Sequence, residues 1–544
     1  MRTNRTTTGT SRRRLIRSVG GAAVATALAG CSSDSAGTPT TSPDDSDGQT
    51  SPSTDTQAQD SIPTGGTLNI ATAGDPQNLD PHTTTINVAQ LVLSNVVEGL
   101  FELDADMNLT GVLATGYEVS DDNRTYTISL KEGVTFHTGA EFTSADVRYS
   151  INRILDPDVG SPRAANFSLL ESIETPDDYT VVFTLSEPFA PFMVSLTDTA
   201  AIIPEGSAEE RNFQQEPVGT GQFVLDSWST DDSVVLQRFD DYHVEDQPYL
   251  DTCEFNIIPE AATRQTQLQS GPAEVMFGVP FQQAGALESG SSTNLQSTSG
   301  LWKQALWFNT DREPLGDARV RRAISYAVNR QQLVQGVLFG HGQVANSPAP
   351  PTSAWRDRID SGQSYEYSRE QANSLLDEAG LDPGSISLSV KASRTPGTTY
   401  ADTATLVQSH LTQLGMDVDV EIMDFSTWLQ EAWVDKNYDL SIGSWSGRTD
   451  PDGWYYRQYH SEGAWNRFNY ANDEVDQLLQ DGRTTVDTDE RADIYSQVDR
   501  IVSEELPMTY LYFREDMTGL TPSVGGYQLT PTSQAEFGTT YLEQ

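Results

Sequence analysis

The chain has 544 residues, with 78 acidic against 33 basic side chains and a formal net charge of −45. A surface of that sign repels phosphates at every approach, which excludes nucleic acid as a partner. Cys31 and Cys253 are the only cysteines, so the body of the chain has neither a disulfide framework nor a Cys-rich zinc site.

In chain order, residues 1–30 read as a twin-arginine export signal. Ser11, Arg12 and Arg13 precede Leu15, Ile16 and Arg17, and a run of small apolar residues follows. The run from Val19 to Gly30 is too short to span roughly 30 Å of hydrocarbon as a helix. Leu28-Ala29-Gly30-Cys31 resembles a lipoprotein processing box, which makes Cys31 the expected lipid attachment site; the alternative is a plain signal followed by a chance cysteine. Residues 31–64 are built from Ser, Thr, Asp, Pro and Gly, cannot bury enough apolar surface to offset their ordering entropy, and read as a disordered tether.

The body starts with a strand at Thr67 to Ala71 that ends in the turn-forming Gly74-Asp75-Pro76, followed by a helix-like run through Val88, Leu91, Val92 and Val96. Strands are expected at Thr125 to Leu130 and Thr180 to Leu185, with a helix between them that starts at an N-cap Ser144. A hairpin is expected over Gln222 to Phe239. The clearest helix begins at Asp317: Val320, Ala323, Ile324, Ala327, Val328, Val334 and Val337 keep helical spacing, Arg319, Arg322 and Arg330 stay off that stripe, and Gly340 ends it. Beyond Pro351 the pattern alternates helix, strand, helix, strand, strand, and the last strand, YDLSIGSW, runs into Ser444 to Trp454, SWSGRTDPDGW. That alternation argues for an α/β domain with ligand contacts at strand ends. Apart from that export signal, no second hydrophobic span is present, and the four lysines, Lys131, Lys303, Lys391 and Lys436, are heavily outnumbered by acids, a halophilic composition.

Five stretches stand in one order: GDPQNLDPH; VVEGLFELDADMNLTGVLATGYEVSDDNRTYTISLKEGVTFHTGAEFTSADVRYSINR; PVGTGQFVLDSW; LWFNTDREPLGDARVRRAISYAVNRQQLVQGVLFGHGQVANSPAPP; and DPDGWYYRQYHSEGAWNRFNYANDEVDQLL. Together they resemble the extracytoplasmic solute-binding proteins of ABC importers, family 5, the peptide and nickel type. The halophilic composition and the export signal together resemble a secreted lipoprotein of halophilic archaea. The resemblance implies an α/β, two-lobed periplasmic-binding-protein type II fold with an additional domain in lobe one. Lobe one would hold 65–310, with 101–216 as the additional domain. Lobe two would hold 311–507, and 508–544 would return to lobe one. The crossings would fall at FNTDREP and LPMTYLYF. The implied partners are a peptide or other small solute, ABC permease subunits with their ATPase, and the membrane through the lipid anchor, on the extracytoplasmic face.

Carried over residue by residue, the resemblance puts Trp445 in the cleft as a flat wall for the solute, with a core tryptophan as the alternative. Trp428 matches a second position near the ligand. Thr72, Ala73 and Gly74 follow the first strand where the family's cleft residues lie, Arg163 matches a loop that reaches the ligand, and Asn466 is a further contact. Arg448 is a departure: peptide-binding relatives often carry an aspartate shortly after this tryptophan to hold the ligand's amino group. An arginine there favours a carboxylate; the alternative is that Arg448 pairs with Asp450 or Asp452 to shape the loop. Asp450-Pro451-Asp452-Gly453 lacks the later ligands of a calcium loop and reads as a turn that starts a helix. The six histidines show no metal-ligand spacing, and there is no nucleophile elbow, phosphate-cradling loop or cysteine nucleophile, so neither cofactor nor enzymatic activity is expected. A secreted hydrolase is the rival of a different class.

Overall fold

The computed structural model describes residues 62–543 except 106, 198–199, 396, 446–448 and 533. The export signal, Cys31, most of the tether and Arg448 lie outside the described residues.

One mixed sheet runs through the described body. Across it stand Asp417–Met423, Ser387–Ser393, Leu440–Trp445, Asn294–Phe308, Met508–Leu520, Val275–Phe277, Thr67–Thr72, Thr252–Ile257, Ser233–Arg238 and Phe223–Ser229, with Gly342–Val344 paired off Met508–Leu520. At one end Thr67–Thr72 pairs in parallel with Thr252–Ile257 and Val275–Phe277, over a core that includes Leu68, Ile70, Val92, Leu236 and Phe255. The expected hairpin is present there, as Phe223–Ser229 against Ser233–Arg238. At the other end Ser387–Ser393 pairs in parallel with Asp417–Met423, and helix Tyr400–Leu414 connects them, a βαβ unit as the alternation required. That helix stops at Gly415, whose φ of +110° a residue with a Cβ adopts only under strain.

Two long antiparallel strands, Asn294–Phe308 and Met508–Leu520, join the ends. Their register runs from Asn294 opposite Leu520 to Trp307 opposite Met508, and it shifts between Ser299 and Lys303, where Gly300, Leu301 and Trp302 face Arg514 alone. A Cβ at Gly300 would lie 2.5 Å from Asp516 Oδ2, so any side chain there requires Asp516 to shift. Of the segment FNTDREP, only Phe308 is strand. Asn309 turns the chain, its side-chain amide donating to the carbonyls of Lys436 and Tyr438.

A second, four-stranded antiparallel sheet stands apart with its own apolar core, in the order Ala114–Val119, Thr125–Leu130, Thr180–Leu185, Leu170–Asp177. Helix Ser144–Leu155 packs on it through Val147, Ile151 and Ile154. Its N-cap is Thr143 rather than Ser144: Asp146 Oδ2 accepts the Thr143 N–H at 2.8 Å in a capping box, and Ser144 Oγ instead donates to the Asp177 carbonyl.

The helix expected from Asp317 to Val337 is two helices, Ala318–Ala327 and Arg330–Val337. Asn329 Oδ1 accepts the Gln332 N–H and starts the second one, which ends the continuous apolar stripe. The break also turns Arg330 inward, contrary to its place off the stripe. It is buried and donates to the carbonyls of Tyr510, Tyr365 and Ser325, to Ser325 Oγ and to Thr509 Oγ1. Every donor of that guanidinium has a neutral acceptor, so it ties helix, loop and long strand together without a carboxylate.

His82 shows how the turn NLDPH is fastened. Its Nε2 meets the Ala201 carbonyl at 2.8 Å and its Nδ1 faces Arg153 Nη1 at 2.8 Å, while Arg153 also holds Asp80 at 2.6 Å. Burial pushes the imidazole pKa down to about 4. Between pH 6.5 and 4 the unfolded chain therefore takes up a proton that the folded chain refuses, and stability falls as pH drops through that window, by about 3 kcal/mol. Urea midpoints measured from pH 7 to 4 should show this slope, and His82→Gln should flatten it; an equal slope in the variant contradicts the assignment.

Candidate ligand-binding cleft

Trp445 ends the strand Leu440–Trp445, opposite Lys303 on the long strand. Its ring stacks on Trp307 at 4.8 Å between centroids and meets Phe468 edge-on at 6.0 Å. Trp428, Trp433 and Tyr438 also surround Trp307. Gly443 makes this cluster possible, since a Cβ there would lie 1.7 Å from the Trp307 ring. Trp445 is 3% exposed and Trp428 7%. The two differ in their polar atoms. Trp428 Nε1 donates to Ser441 Oγ at 3.1 Å, whereas the buried Trp445 Nε1 has no partner among the described residues. Thr449 Oγ1 is in the same position, so two unmatched buried polar atoms bracket residues 446–448.

Immediately after that segment the carboxylates are taken. Asp450 accepts two hydrogen bonds from Arg491, at 2.7 and 2.8 Å, and its Oδ1 also accepts the Asp452 N–H at 2.9 Å, which starts helix Asp452–Tyr459. Asp452 lies 3.0 Å from Arg483 Nε. Desolvation raises the Asp452 carboxyl to a pKa of about 6, against the pull of Arg483. The stretch Asp450-Pro451-Asp452-Gly453 is thus a helix start; Asp450 is hydrogen-bonded to Arg491, while Asp452 Oδ1 faces Arg483 as an ion pair without a hydrogen bond.

The remaining candidates sit elsewhere. Thr72 is buried at the end of its strand, with its hydroxyl 3.4 Å from the Asn256 carbonyl, while Ala73 is exposed and Gly74 half-buried with open space at its Cβ position. These residues stand beside Gly278 at the carboxyl ends of the parallel strands, where ligands of open α/β sheets bind. Arg163 Nη1 donates to the Thr84 carbonyl at 3.0 Å. Asn466 is buried, and its side-chain amide donates to the carbonyls of Tyr470 and His460 to pin the loop it lies in.

Trp445 and Trp428 therefore share one cluster through Trp307. Arg163 and Asn466 flank a single bridge: Asn166, three residues after Arg163, accepts a hydrogen bond from Arg457 Nη2 at 2.9 Å, and Arg457 lies over the Trp465 ring at 5.2 Å. Among the described residues no hydrogen bond joins these pairs to each other or to Thr72–Gly74. Trp307 and Arg457 were not among the candidates. The small Gly443 amid the large residues of its strand was the one available sign that a bulky ring crosses it.

A family model for bacterial extracellular solute-binding proteins, family 5, matches residues 108–467. This chain belongs to family 5 of the solute-binding proteins. Family 5 relatives include the glutathione-binding protein GsiB of Salmonella paratyphi A, 29% identical over 480 residues, covering 86% of this chain and 93% of the relative. Among solved structures, the periplasmic binding protein DppA of Helicobacter pylori in complex with the peptide STSA superposes with a TM-score of 0.76 at 27% identity, covering 89% of this chain and 99% of that one. AgaA of A. tumefacien R10 in complex with agropinic acid gives 0.74 at 29% identity, covering 88% and 99%. The fold of this family 5 member is the type II periplasmic-binding-protein fold. Among the described residues no helix is long and apolar enough to cross a membrane.

Proposed function

We propose that the protein is the substrate-binding component of an ABC importer, which captures a peptide or similar small solute between two lobes outside the cytoplasm and hands it to the permease. Export through the twin-arginine signal and lipid attachment at Cys31 would hold it at the membrane face, and the protein itself would catalyse nothing. The observation that carries the reading is the Trp445 indole at a strand end, packed on one face and with a buried N–H that lacks a protein partner among the described residues. A solute acceptor that met this N–H would satisfy it only in the occupied state, which is the differential contact that closure needs. We put the hinge at Gly300–Trp302 opposite Arg514, where the long strands lose register, eight residues before the expected Phe308.

A non-peptide anionic solute or metal chelate is the second reading. The holding of Asp450 and Asp452 by Arg491 and Arg483 favours it, together with the relative whose bound ligand is agropinic acid. The test is to purify the body in molar salt, identify the co-purified solute by mass spectrometry, and titrate it by calorimetry. With an acidic solute, Arg448→Asp should weaken binding by at least tenfold, the loss of one charge-assisted contact. Unchanged affinity for every acidic solute rules out a carboxylate contact by Arg448. Turnover of the solute would support the secreted-hydrolase alternative instead.

A further inference from the structure

Three contacts join the additional sheet's side of the molecule to the helices beyond Trp445, and all are made by protein groups alone. Arg457 Nη2 donates to Asn166 Oδ1 at 2.9 Å. The Ala190 N–H donates to the Arg483 carbonyl at 2.9 Å. The Arg483 guanidinium lies 3.9 Å over the Tyr456 ring and 5.1 Å over that of Phe189, with Asp452 at 3.0 Å from its Nε. Asn166 sits in the short 3-10 turn Ala164–Phe167, and Phe189 and Ala190 follow strand Thr180–Leu185, so one small sheet supplies one side of the joint. Helices Asp452–Tyr459 and Asp473–Thr484 supply the other. Arg457 and Arg483 are both held on their own side, over Trp465 and Tyr456, and little side-chain freedom remains to be lost when the partners meet.

We infer that Arg457 and Arg483 form a clasp that stabilises the closed arrangement by the same factor whatever solute is bound, and that the additional small sheet is the jaw they grip. This rests on the two-lobed binding reading above. A contact present only in the closed state multiplies the closed population, and the apparent affinity for every solute scales with that population. A residue that touches the solute instead changes the ranking of solutes. The clasp residues are therefore positioning residues: they set how tightly the protein holds its cargo, and leave the choice of cargo to the groups around Trp445.

The test needs no known solute. Hydrogen exchange at the Ala190 amide and small-angle scattering should be compared for the full chain, Asn166→Ala, Arg457→Ala and the double variant, after denaturation midpoints show which of them keep the wild-type fold. Arg457→Ala should speed exchange at Ala190 roughly tenfold to a hundredfold, the size expected for one hydrogen bond to a charged group, and enlarge the radius of gyration. Asn166→Ala should do the same, and the double variant no more than either alone. Exchange and scattering that match wild type in both folded single variants overturn the clasp, whether or not a solute is ever found. With glutathione and the peptide STSA as probes, affinity for each that binds should fall by one common factor. A loss for one probe only would make Arg457 a solute contact and overturn the inference; no binding of either probe bears on the importer reading and leaves the scattering result to decide the clasp.

Discussion

Arg491→Met should lower the stability of the folded protein by about 3–5 kcal/mol, read as the free energy of unfolding in urea at fixed salt. Both partners are buried, with side chains 4% exposed for Arg491 and 11% for Asp450, and two parallel hydrogen bonds from Arg491 reach the Asp450 carboxylate. Removing the arginine strands a buried charge; it also frees the Gly482 carbonyl that Arg491 Nε holds, and takes a cation from above the Trp355 and Tyr495 rings. The diagnostic companion is Asp450→Asn in the Arg491→Met background, which should recover a large part of the loss, because the penalty belongs to the unpaired charge. A double variant as unstable as Arg491→Met alone would mean that packing, and not charge, sets the cost. Since Asp450 starts the helix that carries Arg457, the variant should also weaken solute binding under conditions where it is still folded.

The second large effect separates packing from recognition at a single side chain. Trp445→Ala should destabilise the protein by about 3–5 kcal/mol, the usual cost of emptying a large aromatic site in a core. Here the neighbours Trp307 and Phe468 lose their stacking partner. Trp445→Phe keeps most of the ring contact and deletes the buried N–H that has no protein partner among the described residues. Its stability should stay within about 1.5 kcal/mol of wild type, since a volume-reducing aromatic swap is partly offset by removal of an unsatisfied donor. Its affinity for the co-purified solute should nevertheless fall about tenfold, the worth of one hydrogen bond made only to the ligand. Wild-type affinity in Trp445→Phe would make Trp445 a packing residue and move the recognition site elsewhere.

Local periodicity was enough to read several strands and helices and the α/β alternation beyond Pro351, because those depend on neighbours in sequence, but not strands such as Asn294–Phe308, Thr252–Ile257 and Leu170–Asp177. Strand Thr125–Leu130 and helix Ser144–Leu155 fall where their patterns put them. The misreadings arose where a side chain found a partner far away or a cap close by. Arg330 looked solvent-facing because the apolar stripe passes it, yet Asn329 restarts the helix and turns that guanidinium towards Tyr510, 180 residues on. Arg491 and Arg483 reach Asp450 and Asp452 from helices further along the chain, pairings that the local sequence does not announce. Of the candidate site, Trp445 at the end of its strand was legible from hydrophobic pattern and resemblance together. Trp307, which sets how that ring lies, comes from a strand more than a hundred residues earlier, and no local signal connects the two.

The register shift between the long strands bears on the speed of the cycle. Where Gly300, Leu301 and Trp302 face Arg514 alone, the ladder between the two long strands is interrupted, and Arg514 keeps its pairing with Gly342 on the short strand beside it. If the proposed hinge lies there, the barrier to opening is set by the side chains that touch across the joint and by the solute itself. On the importer reading proposed above, a protein built this way would hold its solute tightly and still release it quickly once those few contacts part.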